Sequence, residues 1–426
     1  MTNEENELLI RTGPGTPCGE LLRRYWQPAA LSEELPPGGP PVPVKLMGEE
    51  LVLFRDDQGR AGLLGLHCSH RGADLSYGRL EDGGLRCLYH GWLYDVRGRC
   101  LDQPGEPGGG AHRDQIRHPA YPCMEKAGTI FAYLGPGESP LFPNYEFLMA
   151  PDAQSFAIKL FHECNFLQAN EGNIDLAHLS FLHYSNKNRD VEIIPGADLS
   201  RRGVAPEMES YEAEVTDYGV RSYKIRRLND PDHYRLYMTE FVLPSFTAFF
   251  GEQYAVEGAY SVNWHVPIDD TSHWKYTFIF SRRGPLDKEA TRRRRAEMAA
   301  DYRSLRLKAN RYRQSREMMI KESYTGIGFN FQVQDLCATE GMGLIQDRTK
   351  EHLVNMDKAV VVARKVFFKA IRDLQEGREP ANVVRDPSRN RFFIDASDDL
   401  VPASQSWKEY MKEKTRKLEA LLAANR

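Results

Sequence analysis

Apolar and polar residues alternate in short runs from Val42 to about Gly137. The stretches "VKLMGEELVLF", "GLLGLHC", "GWLYDV" and "GTIFAYLG" are separated by turn-formers such as "RDDQGR" and "EDGG". Short alternating runs bounded by turn chemistry predict strands. Ahead of them, residues 1–40 are rich in Gly and Pro. There "GELLRRYW" predicts a short helix, and the prolines from Pro36 to Pro43 mark a boundary. Beyond "PGESPLFPN" the character changes. Helical signals occupy 164–183 and the long, charged stretch 287–325, whose arginine-rich run reads as a solvated helix face and less readily as a docking surface. Between them, "YEAEVTDYGVRSYKIRRL" predicts a hairpin about Asp217-Tyr218-Gly219, and "HYRLYMTEFVLPSF" and "HWKYTFIF" predict further strands. A last amphipathic helix, "KAVVVARKVFFKAIRDL", places Val361, Val366, Phe367, Ile371 and Leu374 on one stripe before Gly377 stops it. The expected class is α+β, with an arm at 1–40, an all-β domain at 41–147 and a mixed domain at 148–426.

Composition narrows the function classes. A chain of 426 residues exceeds one typical core, and 41% hydrophobic with 27% charged residues describes an ordinary globular protein. A net charge of −4 gives no electrostatic reason to expect nucleic acid or an anionic membrane. No apolar run approaches the roughly 20 residues needed to span a bilayer. The acidic start "MTNEENELLI" does not read as a secretory signal. Seven scattered cysteines, Cys18, Cys68, Cys87, Cys100, Cys123, Cys164 and Cys337, argue against a disulfide framework and for a reducing cytoplasm.

Four of the potential ligands fall in two tight groups within "LHCSHRGADLSYGRLEDGGLRCLYHGW": Cys68 with His70, and Cys87 with His90. Two thiolates and two imidazoles suit a structural zinc or a Rieske-type [2Fe–2S] centre. Each group supplies one Cys and one His, which favours two irons gripped from two loops. Gly72 and Gly91 follow the histidines where backbone must bend closely. His67, adjacent to Cys68, is expected to face the other way and to be structural.

A second constellation lies in "CNFLQANEGNIDLAHLSFLHY". Asp175 and His178 share a helix face, whereas His178 and His183 converge only if the helix loosens between them. Two histidines and a carboxylate with open positions form the facial triad of non-haem Fe(II) oxygen-activating enzymes. The carboxylate is expected from "FNFQVQDLCATEGMGLIQDRTKEHL", which offers Asp335, Glu340 and Asp347. Asp335 is favoured because it follows an aromatic-rich stretch suited to lining a cavity.

Together the two constellations resemble the oxygenase component of Rieske non-haem iron aromatic-ring oxygenases, in the phthalate-dioxygenase-like branch with one kind of subunit. The resemblance rests on "RTGPGTPCGELLRRYWQPA", "CSHRG…CLYHGW", "EGNIDLAHLSFLH" and "QDLCATEGMGLIQDRTKEHL", and spans nearly the whole chain. It implies that Cys68, His70, Cys87 and His90 bind the cluster and that His178, His183 and Asp335 bind the mononuclear iron. Asp175 would be the bridging aspartate that links a cluster histidine of one subunit to an iron histidine of its neighbour. A head-to-tail trimer or stacked trimers follow from that role, and so does electron flow through His90, Asp175 and His178. The implied catalytic domain is a curved antiparallel sheet wrapped around helices, of helix-grip type. Some relatives carry an asparagine three or four residues before the bridging aspartate. Gly172 and Glu171 stand there in this chain, with Asn170 and Asn173 on either side.

The expected activity is O2-dependent hydroxylation of an aromatic, carboxylated substrate. O-demethylation of a lignin-derived methoxy aromatic acid is the alternative within the enzyme class. An electron-transfer or zinc-structured binding protein is the alternative outside it. Neither a Gly-x-Gly-x-x-Gly nucleotide turn nor ferredoxin cysteine spacing occurs, so NAD(P)H and flavin are expected on a separate reductase. A substrate carboxylate needs a cation in an apolar pocket, for which Arg226, Arg227 and Arg235 are the candidates.

Overall fold

The computed structural model describes residues 1–184, 209–228, 230–250, 260–282, 284–293 and 297–424. Two four-stranded antiparallel sheets form the small β-domain. Val42–Leu46, Glu49–Arg55, Ala61–Gly65 and Ala120–Tyr121 make one, and Arg79–Glu81, Gly84–Arg86, Leu93–Tyr94 and Cys100–Asp102 the other. Val52, Phe54, Leu64, Leu75, Leu85 and Tyr94 pack with Cys68 and Cys87 in its core. A third sheet pairs Thr129–Tyr133 with Cys123–Lys126 and with Trp26–Leu31. That last strand lies in the stretch read as an arm. "WQPAAL" is apolar on both faces and buried along its whole length, so it completes a sheet instead of running free.

The larger domain is built on an eight-stranded antiparallel sheet. Its order is Ser155–His162, Ser272–Phe280, Ser261–Asp269, Phe246–Phe249, His233–Val242, Gly219–Arg227 and Glu209–Val215. Ser397–Pro402 pairs with His233–Val242 beyond the end of the short Phe246–Phe249 strand. One face carries Phe246, Trp264, Tyr276 and Phe278, which join Phe131 and Phe147 in the main core. The opposite face is covered by the helices Phe166–Ile174 and Lys358–Gln375. Asn263 donates to Asn173 Oδ1 on the first (2.6 Å), and Phe241 packs on Phe367 of the second. This is the sheet-around-helix architecture that the resemblance implied.

Three local departures have physical causes. The helix after Asn165, whose side chain caps it, ends at Ile174, and Asp175 is extended at φ −69° and ψ 124°. The stripe of Lys358–Gln375 starts at Val360, not Val361, and continues through Ala363, Phe367, Ala370 and Ile371. It also buries Arg364, which two carboxylates neutralise there. The stretch 287–325 is not one long helix. Its described residues contain two six-residue α-helices, Lys288–Arg293 and Arg316–Lys321, with Tyr302, Arg311, Tyr312 and Arg313 at positive φ between them. It has no apolar stripe to bury, so single side chains anchor it instead. The Arg303 guanidinium lies 3.7 Å over the Phe161 ring, and Tyr312 donates to Glu340.

Candidate functional site

The first site sits on two tight loops of the small domain. Gly72 N–H donates to Cys68 O (2.8 Å) and Gly91 N–H to Cys87 O (3.0 Å), closing each loop around its ligands. Gly72 and Gly91 have φ of +73° and +76°, which a side chain would strain. Cys68 and Cys87 are buried and unbridged, while His70 is exposed and His90 half-buried. The two imidazoles lie 4.5 Å apart between centroids, and His70 stacks on Trp92. Burial pushes the Cys68 thiol up, although Tyr94 OH lies 3.3 Å from its sulfur and favours the thiolate. Desolvation, His70 and Arg71 lower His90 and keep it in the neutral form a metal requires. Thiols inside and imidazoles outside fit a cluster with one iron turned to the surface. His67 points elsewhere: its ring nitrogens lie 3.3 Å from Glu50 and from Gly72 O.

The second site is assembled from separated segments. The helix stops at Ile174, a single 3-10 turn at His178–Ser180 follows, and this break brings His178 and His183 to 5.0 Å between ring centroids. Asp335 reaches them from the helix Phe331–Gly341. Its Oδ1 lies 3.1 Å from His183 Nε2 and 3.9 Å from His178 Nε2. One ligand atom from each of the three lies within 4.8 Å of the others. His183 Nδ1–H donates to Gln334 Oε1 (2.7 Å), and Gln334 Nε2 donates to Gly328 O, which leaves His183 Nε2 for a metal. Phe331 stacks on the His183 ring at 4.4 Å. Asp175 Oδ2 lies 3.6 Å from His178 Nδ1, on the side away from Asp335. Burial raises the Asp335 carboxyl, but His183, His178 and Lys275 outweigh it and bring it to about 2. Burial lowers His178, and Asp175 with Asp335 more than restores it, so its pKa is raised. Two imidazoles and an ionised carboxylate, with no fourth protein ligand among the described residues, are the donors of a ferrous facial triad.

The other candidates lie elsewhere. Glu340 accepts from Glu163 N–H and Tyr312 OH, and Asp347 caps its own turn through Thr349 N–H. Arg226 sits beside Glu209 (3.9 Å), Arg235 is held by Asp398 (2.5 Å), and Arg227 is exposed. Asn173 is engaged by Ala169 O and Asn263, while both polar atoms of Asn170 are buried without a hydrogen-bond partner among the described residues. Residues 185–208 lie outside the described residues. Sequence reasoning missed Gln334, whose one signal was its place beside Asp335. It also missed a buried clamp on the helix Phe166–Ile174, which leads into the His178 segment. Glu171 accepts from Arg348 Nε and Nη2 (3.1 and 2.9 Å) and from Arg364 Nε (2.6 Å), and Arg348 reaches Asn6.

Comparison with known proteins shows which family the chain belongs to. The Rieske [2Fe-2S] domain matches residues 25–121, and the LigXa C-terminal domain like family matches residues 132–424. The chain belongs to the Rieske non-haem iron oxygenases. This Rieske oxygenase subunit is 34% identical over 434 residues to the phthalate 4,5-dioxygenase oxygenase subunit of Pseudomonas putida, covering 96% of this chain and 94% of that one. It is 32% identical over 400 residues to the 5,5'-dehydrodivanillate O-demethylase oxygenase subunit of Sphingobium sp. (strain NBRC 103272 / SYK-6), covering 92% and 85%. The fold matches the terminal oxygenase of carbazole 1,9a-dioxygenase from Nocardioides aromaticivorans IC177 with a TM-score of 0.59 at 19% identity, over 86% of this chain and 97% of that one. The domain match gives the small domain an iron–sulfur cluster and not zinc. Among the described residues no helix is long and apolar enough to cross a membrane.

Proposed function

We propose that this Rieske oxygenase takes electrons from a separate flavin- and iron–sulfur-containing reductase and uses O2 to hydroxylate an aromatic carboxylate in the cytoplasm. The observation that carries the reading is the His178, His183 and Asp335 triad on the inner side of the sheet, in a chain that also carries the two cluster loops. Cys68, His70, Cys87 and His90 would hold the cluster, and the triad the ferrous ion. When bound, the cluster supplies one-electron storage and the ferrous ion supplies oxygen activation.

The chain's own residues set the conditions. Gln334 fixes the tautomer of His183, so that Nε2 carries the lone pair. Trp92 fixes the plane of His70 by stacking. Asp175, a quarter exposed, holds the Nδ1 side of His178 and is the group we assign to join it to the cluster edge of a neighbouring copy. That assignment makes a head-to-tail ring the working unit. The oxygenase–ferredoxin complexes among the structural neighbours agree with electron delivery by a separate protein.

A second reading, O-demethylation of a methoxy aromatic acid, is favoured by the 32% identity to an O-demethylase oxygenase subunit. Metal analysis of protein purified without air tests the core of the proposal, which expects about three irons per chain and no zinc. Two irons would leave an electron carrier, and zinc a structural module. Product analysis with aromatic acids, O2 and a compatible reductase then separates the two enzyme readings, formaldehyde marking demethylation and a hydroxylated or diol product marking ring hydroxylation.

A further inference from the structure

The sheet face turned toward the helix Phe166–Ile174 is polar, although it is buried. Antiparallel register carries that face from strand to strand, with His162, His265 and His273 toward one edge and Lys224 opposite Tyr211 at the other. Glu209 lies two residues before Tyr211 on the edge strand and shares the face. Lys224 is 8% exposed and the Glu209 side chain 5%, with Nζ 3.1 Å from Oε1. A buried ion pair gains little stability over apolar residues of the same size, so its use at this edge is to fix a geometry.

What the pair fixes is the turn that carries His178. A single 3-10 turn, His178–Ser180, is too short to hold itself. Asp175 fixes its start, accepting from Ala177 N–H (2.7 Å). Ser180 fixes its end. The Ser180 hydroxyl accepts from Lys224 Nζ (2.5 Å) and donates toward both Glu209 oxygens (3.3 and 3.4 Å), and Tyr211 OH donates to Glu209 Oε2 (2.6 Å). His178 O accepts from Phe181 N–H and Leu182 N–H (3.0 and 2.8 Å), so the backbone that Ser180 anchors is the one from which the His178 ring projects. That ring has no close bond to aim it. Its Nδ1 has no hydrogen-bond partner among the described residues, Asp175 lying 3.6 Å away, whereas the His183 ring is held by Gln334 at 2.7 Å.

We propose that Lys224 is a positioning residue for the ferrous site, holding the turn that presents His178 through the Ser180 hydroxyl and the Glu209 carboxylate. The proposal rests on the oxygenase reading above and assigns the support of one iron ligand within it. The two histidines are then aimed by different means, His183 by a bond to its ring and His178 by the seat of its backbone.

The test is the ferrous affinity of the mononuclear site in the full chain with its cluster in place, measured by competition with a colorimetric chelator. The electron paramagnetic resonance spectrum of the nitric oxide adduct is recorded beside it. Ser180→Ala, which deletes one oxygen, is expected to weaken iron binding about tenfold and to alter that spectrum. Its urea midpoint and the visible absorption of its cluster should stay near those of the wild type. Ser180→Thr, which keeps the hydroxyl, is expected to recover most of the affinity. Lys224→Met is expected to weaken iron binding by about 10- to 100-fold. Adding Ser180→Ala to it should cost less than about twofold more, because both act on one contact. The proposal is overturned if Ser180→Ala and Lys224→Met hold iron as tightly as the wild type, or if iron is lost only in step with the cluster absorption and the urea midpoint. A wild-type chain that keeps its cluster but takes up no ferrous ion overturns the oxygenase reading, and the proposal with it.

Discussion

The two proposed metal sites are built on opposite plans. The cluster loops draw all four ligands from two neighbouring turns, each closed by a glycine at positive φ, and put their imidazoles toward the surface. The mononuclear site joins a broken helix end to a helix far along the chain, and its carboxylate, a quarter exposed, faces two histidines. A local site stands on short-range geometry and survives distant changes. An assembled site depends on every element that holds its segments in place, down to the clamp on Glu171.

Replacing a ligand should break this comparison most sharply. His183→Ala or Asp335→Ala is expected to abolish turnover and remove one iron per chain, while the visible absorption of the cluster persists. Cys87→Ser is expected to remove the two cluster irons, their visible absorption and turnover, while a nitric oxide adduct of the ferrous site, read by electron paramagnetic resonance, should still form. Loss of both centres in either variant would mean that the sites are not independent.

Glu171→Gln tests the dependence of the assembled site on its support. Breaking a buried pair by removing one partner costs about 3–5 kcal/mol, and here Arg348 and Arg364 would lose their shared carboxylate. The loss should be visible in urea unfolding and should be accompanied by weaker iron retention. Gln334→Ala, which removes only the acceptor that orients His183, is expected to lower iron affinity or turnover by about 10- to 100-fold. Gln334→Glu, which keeps an acceptor, should recover much of the loss.

The smallest effect is one of pH. Burial, reinforced by the charge of Lys275, lowers His162, His265 and His273, the last to about 3. Between that value and the ordinary imidazole value of about 6.5, the unfolded chain binds protons that the folded chain refuses. Stability is therefore full above about pH 6.5 and falls as pH drops, by about 1.4 kcal/mol per pH unit for each histidine that titrates only on unfolding. Urea midpoints at pH 7.5, 6.5 and 5.5 check this, and a flat profile would contradict the buried histidine cluster.

The same contrast explains what could be read from the sequence. Cys68, His70, Cys87 and His90 stand out as proposed ligands because groups on two neighbouring turns lie close in the chain. His178 and His183 announced a site only with the cluster motif beside them, since Gly172 lies inside the last helical turn and no proline marks the break at Asp175 that lets them converge. Period-two alternation exposed the strands, yet it says only that a strand has two faces. Which face is solvated is decided by what packs there, so the burial of Lys275 and His162 under a helix was not readable. The charged stretch 287–325 misled for the related reason that helix-forming composition without an apolar stripe has nothing to hold a long helix together.

The N-terminal helix Asn3–Ile10 is stitched to the distant parts it helps to organise. Asn6 accepts from Arg348 and donates to Gln346 O, while Asn165, the residue that caps the helix Phe166–Ile174, donates to Ile10 O. The opening residues thus serve as a keystone for the oxygen chemistry although they touch none of it. Cutting the chain after Ile10 would release Arg348 and Asn165 from these partners, and iron content set beside a urea midpoint would show whether the proposed site loosens with them.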